Sequence, residues 1–218
     1  MEPVKIGRAT LYCGDCLSIF ENELDGHGMV DLILTDPPYG IGEDGGRFRG
    51  RKGQGHRVLP KKGWDSAPPS SDHFNSMLGF GKELIIWGGN YFTHSVPVSR
   101  GWLYWDKMMG GDFSDGELAW TSMDIALRSF RKCNKMSGKE HPTQKPVALM
   151  RWCLGFAPDA ETVCDPFMGS GTTGIAAIEA GKAFIGIERD PDYFEIACRR
   201  IREASGEDAG PLFENEAQ

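Results

Sequence analysis

The stretch that decides the fold is Asp165-Pro166-Phe167-Met168-Gly169-Ser170-Gly171-Thr172-Thr173-Gly174. Ahead of it, residues 162–165 (T-V-C-D) read as a short strand. Behind it, a helix runs from about Thr172 to Ala180 and is stopped by Gly181. Residues 183–188 (A-F-I-G-I-E) form the next strand, and Asp190-Pro191 caps a closing helix that reaches about Glu203. Strand, glycine turn, helix and strand in this order are the unit of an α/β domain built on a mostly parallel sheet. The glycines also satisfy G-x-G-x-x-G, a spacing that lets the chain turn tightly and approach a ligand closely. Glu188 ends the second strand, where a carboxylate can accept hydrogen bonds from two ribose hydroxyls, so a nucleoside-containing cofactor fits. The same spacing also suits a tight helix–sheet packing turn with no ligand. Asp165 stands just before the turn. A helix N-terminus that faces a pyrophosphate would not want it, whereas a ligand with a positive centre or an amine would.

Working outward, residues 29–35 (M-V-D-L-I-L-T) are a near-continuous apolar run, suited to a strand covered on both faces. Asp36-Pro37-Pro38-Tyr39 follows at its C-terminal end, where open α/β sheets place their ligands. Two successive prolines remove two backbone donors and stiffen the turn, which fixes the direction of the Pro37 carbonyl. Asp36 adds a second acceptor and Tyr39 an aromatic face. Two acceptors beside a ring match an exocyclic amine on a planar base.

Further strands are expected over 9–13, 83–87, 101–106 and 117–128, and helices over 16–24, 70–79 and 146–156. Residues 90–95 favour neither state. Residues 40–64 hold eight glycines among 25 positions and show no periodicity. A segment of that kind inside a compact domain is functional or disordered.

The chain has 218 residues, 40% hydrophobic and 25% charged, which suits one full-sized globular domain and excludes a disordered chain. One domain is expected over 1–203, with an acidic, flexible tail over 204–218. No apolar run reaches the roughly 20 residues of a membrane span, and the N-terminus lacks an export pattern. A cytoplasmic protein that does not bind membranes is therefore expected. The net charge of −7 argues mildly against a polyanion partner, but its distribution does not. Residues 41–63 carry seven basic side chains (Arg47, Arg49, Arg51, Lys52, Arg57, Lys61, Lys62) against two acids, and 128–145 carry six against one. These are either solvated loops or a phosphate-binding surface on an acidic body. Cys13 and Cys16 have C-x-x-C spacing, but no second pair follows at zinc spacing, so no metal is expected.

D-P-P-Y and D-P-F-M-G-S-G together resemble the amino-methyltransferases that modify adenine N6 or cytosine N4 in DNA. Because D-P-P-Y comes first, the chain resembles their circularly permuted β group. Gly14-Asp15-Cys16-Leu17 resembles the family's G-D-x-L motif, His141-Pro142-Thr143-Gln144-Lys145-Pro146 its H-P-T-x-K-P motif, and residues 87–92 (W-G-G-N-Y-F) a segment of its small phage and bacterial members. The likeness spans roughly residues 11–200. It departs in size, leaving only 40–64 and 107–140 for target recognition.

The resemblance implies a Rossmann-like domain with a seven-stranded, mostly parallel sheet. It implies S-adenosylmethionine as cofactor and double-stranded DNA as partner, in a bacterial or phage-infected cell, and it leaves a homodimer open. The amine would be bound by Asp36 and the Pro37 carbonyl, with Pro38 completing the turn and Tyr39 stacked on the flipped base. The cofactor would lie against Asp165, Pro166, Phe167, Gly169, Ser170, Gly171 and Thr172. Glu188 and Arg189 would flank its ribose, Asp15 and Cys16 its adenine, and Thr143 and Lys145 its carboxylate. Asp at the first motif position leans toward adenine N6 in this family, with cytosine N4 as the alternative. Two readings from other classes remain at this point: a nicotinamide-dependent oxidoreductase, and an idle DNA-binding module.

Overall fold

The computed structural model describes residues 2–24, 26, 28–42, 44, 62–108, 114–133 and 143–207. Strands β1 (Val4–Ile6), β2 (Ala9–Cys13), β3 (Val30–Thr35), β4 (Gly81–Trp87), β5 (Trp102–Asp106), β6 (Gly116–Thr121), β7 (Arg128–Arg131), β8 (Thr162–Asp165) and β9 (Ala183–Glu188) form one sheet. Its order is β1-β2-β9-β8-β3-β4-β6-β5-β7. The run β2-β9-β8-β3-β4 is parallel throughout, while β1 and β6 pair antiparallel with their neighbours. Nine strands among the described residues replace the seven expected; the mostly parallel, Rossmann-like character stands.

Two of the extra pairings have simple causes. Strand β1 is three residues long, too short to show a period, and returns as β2 through Gly7 at φ +52°. The single strand expected over 117–128 is broken after Thr121. Strand β6 lies antiparallel on one side of β5 and β7 parallel on the other, so the chain must cross between them over 122–127.

The helices α1 (Cys16–Asn22), α2 (Ser71–Phe80), α3 (Val147–Leu154), α4 (Thr172–Glu179) and α5 (Pro191–Ser205) cover both faces. On β3, Leu32 and Leu34 point into a core shared with α3, α4 and α5, whereas Ile33 points into a second core with α1 and α2. Strand β4 divides the same way, with Ile85 and Trp87 against Leu84 and Ile86. This two-sided burial is why the strand sequences are continuously apolar rather than alternating.

Helix starts follow capping chemistry. Asp15 accepts from the Leu17 and Ser18 amides, and Asp190 accepts from Asp192 and Tyr193 with Pro191 at the first helical position. Helix α5 ends at Ser205 before Gly206, two residues beyond the expected stop; most of the expected tail, from residue 208, lies outside the described residues. No described helix is long and apolar enough to cross a membrane.

Candidate active site

The parallel strands end side by side, so the segments after β2, β9, β8, β3 and β4 share one edge: Gly14-Asp15, Arg189-Asp190, Pro166–Gly171, Asp36–Tyr39 and Gly88–Tyr91. The two sequence motifs follow adjacent strands, with Leu32 paired to Val163 and Ile33 to Cys164. One buried hydrogen bond joins them: the Thr35 hydroxyl donates to Asp165 Oδ1 at 2.7 Å. Ligands of open α/β sheets lie at this edge.

On the glycine side, Gly169 takes φ +52° and Gly171 φ +79°, so the turn uses the left-handed region open to glycine. Two of the glycines also make room for packing. A Cβ on Gly171 would meet Ala197 and Ile201 of α5, and one on Gly174 would meet Ile201 and Phe184 at 2.6 Å. Those two allow close packing of α4 on α5 and β9, the ligand-free alternative for this spacing. Arg200 of α5 donates to the Ser170 carbonyl and, at 2.9 Å, to its hydroxyl, which locks the turn from behind.

The carboxylates on this side are held by neutral donors. Glu188 accepts from the Gly169 amide at 2.9 Å and the Asp190 amide at 2.8 Å. Burial pushes its pKa up to about 7, and that of Asp165 up to about 6 against the hydrogen bonds that hold it. Phe167 stands 6.0 Å from the His73 ring, and Asp15 is exposed at the N-terminus of α1. Glu188, Asp165 and Asp36 all stand on this edge. That donor set fits a nucleoside carrying a cationic sulfonium and does not fit a pyrophosphate dianion. The sites expected of Cys16, Pro166 and Thr172 are buried, and Arg189 is exposed.

The Asp36 side is built differently, from parts distant in sequence. Tyr39 OH donates to Asp36 Oδ1 at 2.6 Å and approaches Glu117 Oε2 at 3.3 Å. Lys145, 4% exposed, binds Asp36 Oδ2, Glu117 Oε2 at 3.1 Å and Tyr39 OH at 3.1 Å. Its Nζ also lies 5.5 Å from the Tyr39 ring centre and 5.7 Å from that of buried Trp87. Lys107 Nζ meets the other oxygen of Glu117 at 2.5 Å.

Burial pushes Asp36 up, and the Glu117 charge adds to this against the pull of Lys145. Burial also opposes ionisation of Glu117, but Lys145 and Lys107 outweigh it and hold the pKa down at about 2. For Lys145 burial works downward and the two carboxylates overcome it, so the ammonium stays charged. The Tyr39 ring stacks parallel on Tyr91, with centroids 4.9 Å apart. Gly88 at φ +74° lies so close to Tyr39 that a Cβ would fall 2.1 Å from a ring carbon.

The structure thus places Lys145, expected at the cofactor carboxylate, within the Asp36 cluster. Sequence reading missed Glu117, Lys107 and Tyr91. A glutamate in a strand carries no local signal, and its link to Tyr39 spans 78 positions. Of the basic residues expected to hold DNA, Lys62 is described: it pairs with Asp190 at 2.7 Å and Asp192 at 2.6 Å and lies over the Tyr193 ring. Arg47, Arg49, Arg51, Lys52, Arg57 and Lys61 lie outside the described residues, as do His141 and Pro142. Both ends of that loop are tied down, Gly40 to Asp65 at 2.7 Å and Gly63 to Asp44.

A family model described as DNA methylase, of the N6/N4 methyltransferase type, matches residues 86–199. A Type II methyltransferase of Lactococcus lactis subsp. cremoris, M2.LlaDCHI, is 30% identical over 70% of this chain and 54% of its own length. The chain spans about half the length of the first curated relatives it matches. DNA adenine methyltransferase YhdJ of Escherichia coli K12 is 30% identical, with 94% of this chain and 87% of that protein aligned. Among solved structures, the M1.HpyAVI–SAM complex has the same fold, with a TM-score of 0.59 at 22% identity over 88% of this chain and 98% of the other.

Proposed function

The chain belongs to the N6/N4 DNA methylase family, and we propose that it transfers the methyl group of S-adenosylmethionine to an exocyclic amine of a DNA base, adenine N6. The observation that carries this reading is the Thr35–Asp165 hydrogen bond, which holds the acid-lined glycine turn and the Asp36 turn on adjacent strands as two halves of one crevice. The adenine assignment is supported by the designation of YhdJ and by aspartate at the first position of D-P-P-Y. The setting is the cytoplasm of a bacterium, in keeping with the bacterial sources of the relatives.

When bound, S-adenosylmethionine supplies an electrophilic methyl on a sulfonium. Glu188 would hold its ribose hydroxyls, and Asp165 and Phe167 would line its path toward Asp36. A base amine is a poor nucleophile because its lone pair is delocalised into the ring. Asp36 and the Pro37 carbonyl would accept its two N–H groups and draw the nitrogen toward a tetrahedral shape, which frees that pair. Tyr39 OH and Lys145 hold the Asp36 carboxylate in place for this. The amine is out of reach inside a duplex, so the base must be flipped out, with the loop after Gly40 against the backbone.

The test is incubation with methyl-labelled S-adenosylmethionine and mixed-sequence duplex DNA, then nucleoside digestion and mass spectrometry. N6-methyladenine is expected. N4-methylcytosine would correct the base, and no modified nucleoside would overturn the function.

A further inference from the structure

The Asp36 cluster contains more charge than the holding of one amine requires. Lys145 is buried, stays protonated, and is bonded to both Asp36 and Glu117. A buried ammonium against Asp36 alone would make a neutral pair. Methyl transfer moves a positive charge onto the base nitrogen, and a neutral pair gives that charge little stabilisation. Glu117 changes the balance: with Lys107 the two carboxylates and two ammoniums sum to zero, but Lys145 alone of the two ammoniums is bonded to Asp36, and Glu117 takes a share of it. Lys107 sits on one oxygen of Glu117, and Lys145 and Tyr39 approach the other.

We propose that Glu117 is a positioning residue for the transfer: by sharing Lys145 and the Tyr39 hydroxyl with Asp36, it draws the ammonium's charge off Asp36, so that the oriented carboxylate keeps negative charge toward the base amine. The inference rests on the function proposed above. In the step concerned, the nitrogen–methyl bond forms as the sulfur–methyl bond breaks, and sulfur keeps that electron pair. The nitrogen's surplus proton leaves to Asp36 and then to water. Glu117 touches neither reacting atom and acts through Lys145 and Tyr39.

The groups that face Asp36 are Lys145 ahead of α3, Glu117 on β6, Tyr39 on its own turn and Asp165 on β8, with Lys107 acting through Glu117. Activity needs Asp36 ionised, so the rate falls on the acid side as Asp36 is protonated. Glu117 raises that midpoint and Lys145 lowers it.

The experiment is single-turnover methyl transfer across pH 5.5–9 for wild type, Glu117→Gln, Glu117→Asp and Lys107→Gln. Glu117→Gln keeps the shape and the acceptor but loses the charge. It is expected to slow transfer about 10–100-fold at neutral pH with cofactor and duplex affinities within about threefold of wild type. Its acid limb should move to lower pH, while that of Lys107→Gln should move to higher pH. Glu117→Asp should restore part of the rate. An unchanged rate, or limbs that move the same way in the two variants, would overturn the role of Glu117. If Glu117→Gln does not fold, the direction of the Lys107→Gln limb decides. A wild type that forms no methylated base breaks the underlying function instead, so the two failures are distinct.

Discussion

The two halves of the crevice hold their carboxylates in opposite ways. Glu188 and Asp165 accept from backbone amides and hydroxyls, and burial raises both pKa values. Asp36 and Glu117 are met by ammonium groups, and Glu117 is held down at about 2. The first half is an under-compensated negative pocket, the state expected of a receptor for a cationic ligand. The second already contains its cations: Lys145 and Lys107 hold Glu117 ionised, and Lys145 orients Asp36 although burial still raises that carboxylate. One half binds, and the other aims.

Four substitutions probe this division. Asp36→Ala removes the aimed acceptor and is expected to lower turnover at least about 10²–10³-fold with duplex affinity intact, read by steady-state kinetics and filter binding. Loss of duplex binding together with turnover would place Asp36 on the binding side.

Glu188→Gln tests the other half through stability. The folded pKa near 7 lies above the ordinary 4.5, so the protonated form favours folding. That stability is fully present below about 4.5 and is lost as pH rises through about 7. At pH 8 wild type carries the whole burial penalty and the glutamine does not. The ligand-free variant should therefore melt higher by about 3–6 °C at pH 8, with the gain shrinking toward pH 5. A lower melting temperature at pH 8 would mean that the carboxylate is compensated after all.

Gly88→Ala forces a Cβ into the Tyr39 ring at positive φ. It should destabilise the protein by about 1–3 kcal/mol in denaturant titration and slow turnover without weakening the cofactor. The smallest effect is expected for Thr35→Val, which removes the hydrogen bond joining the halves. A loss of about 1–2 kcal/mol and a modest fall in turnover should follow, and no change in either would make that bond incidental.

What was legible in the sequence was local. D-P-P-Y after an apolar run, and a glycine turn between strand and helix, each announce a backbone shape within ten residues, and both stand where strand ends require. The glycine spacing left ligand approach and tight packing both open, and at Gly171 and Gly174 the side-chain space is taken up by α5 and β9. Lys145 is expected at the cofactor carboxylate from its likeness to the H-P-T-x-K-P motif, and that likeness carries no sign of its partners Asp36, just after β3, and Glu117 on β6. Their meeting depends on β6 pairing antiparallel to β4, a long-range event with no short-range trace. The break between β6 and β7 was hidden for the same reason.

The most direct measurement is the dissociation constant of S-adenosylmethionine, by calorimetry, for wild type, Asp36→Ala and Glu188→Gln side by side. Glu188→Gln should weaken binding about 10–100-fold, the loss of charge-assisted hydrogen bonds, while Asp36→Ala stays within about threefold of wild type. Equal losses in both variants, or a loss confined to Asp36→Ala, would contradict a crevice that binds at one end and aims at the other.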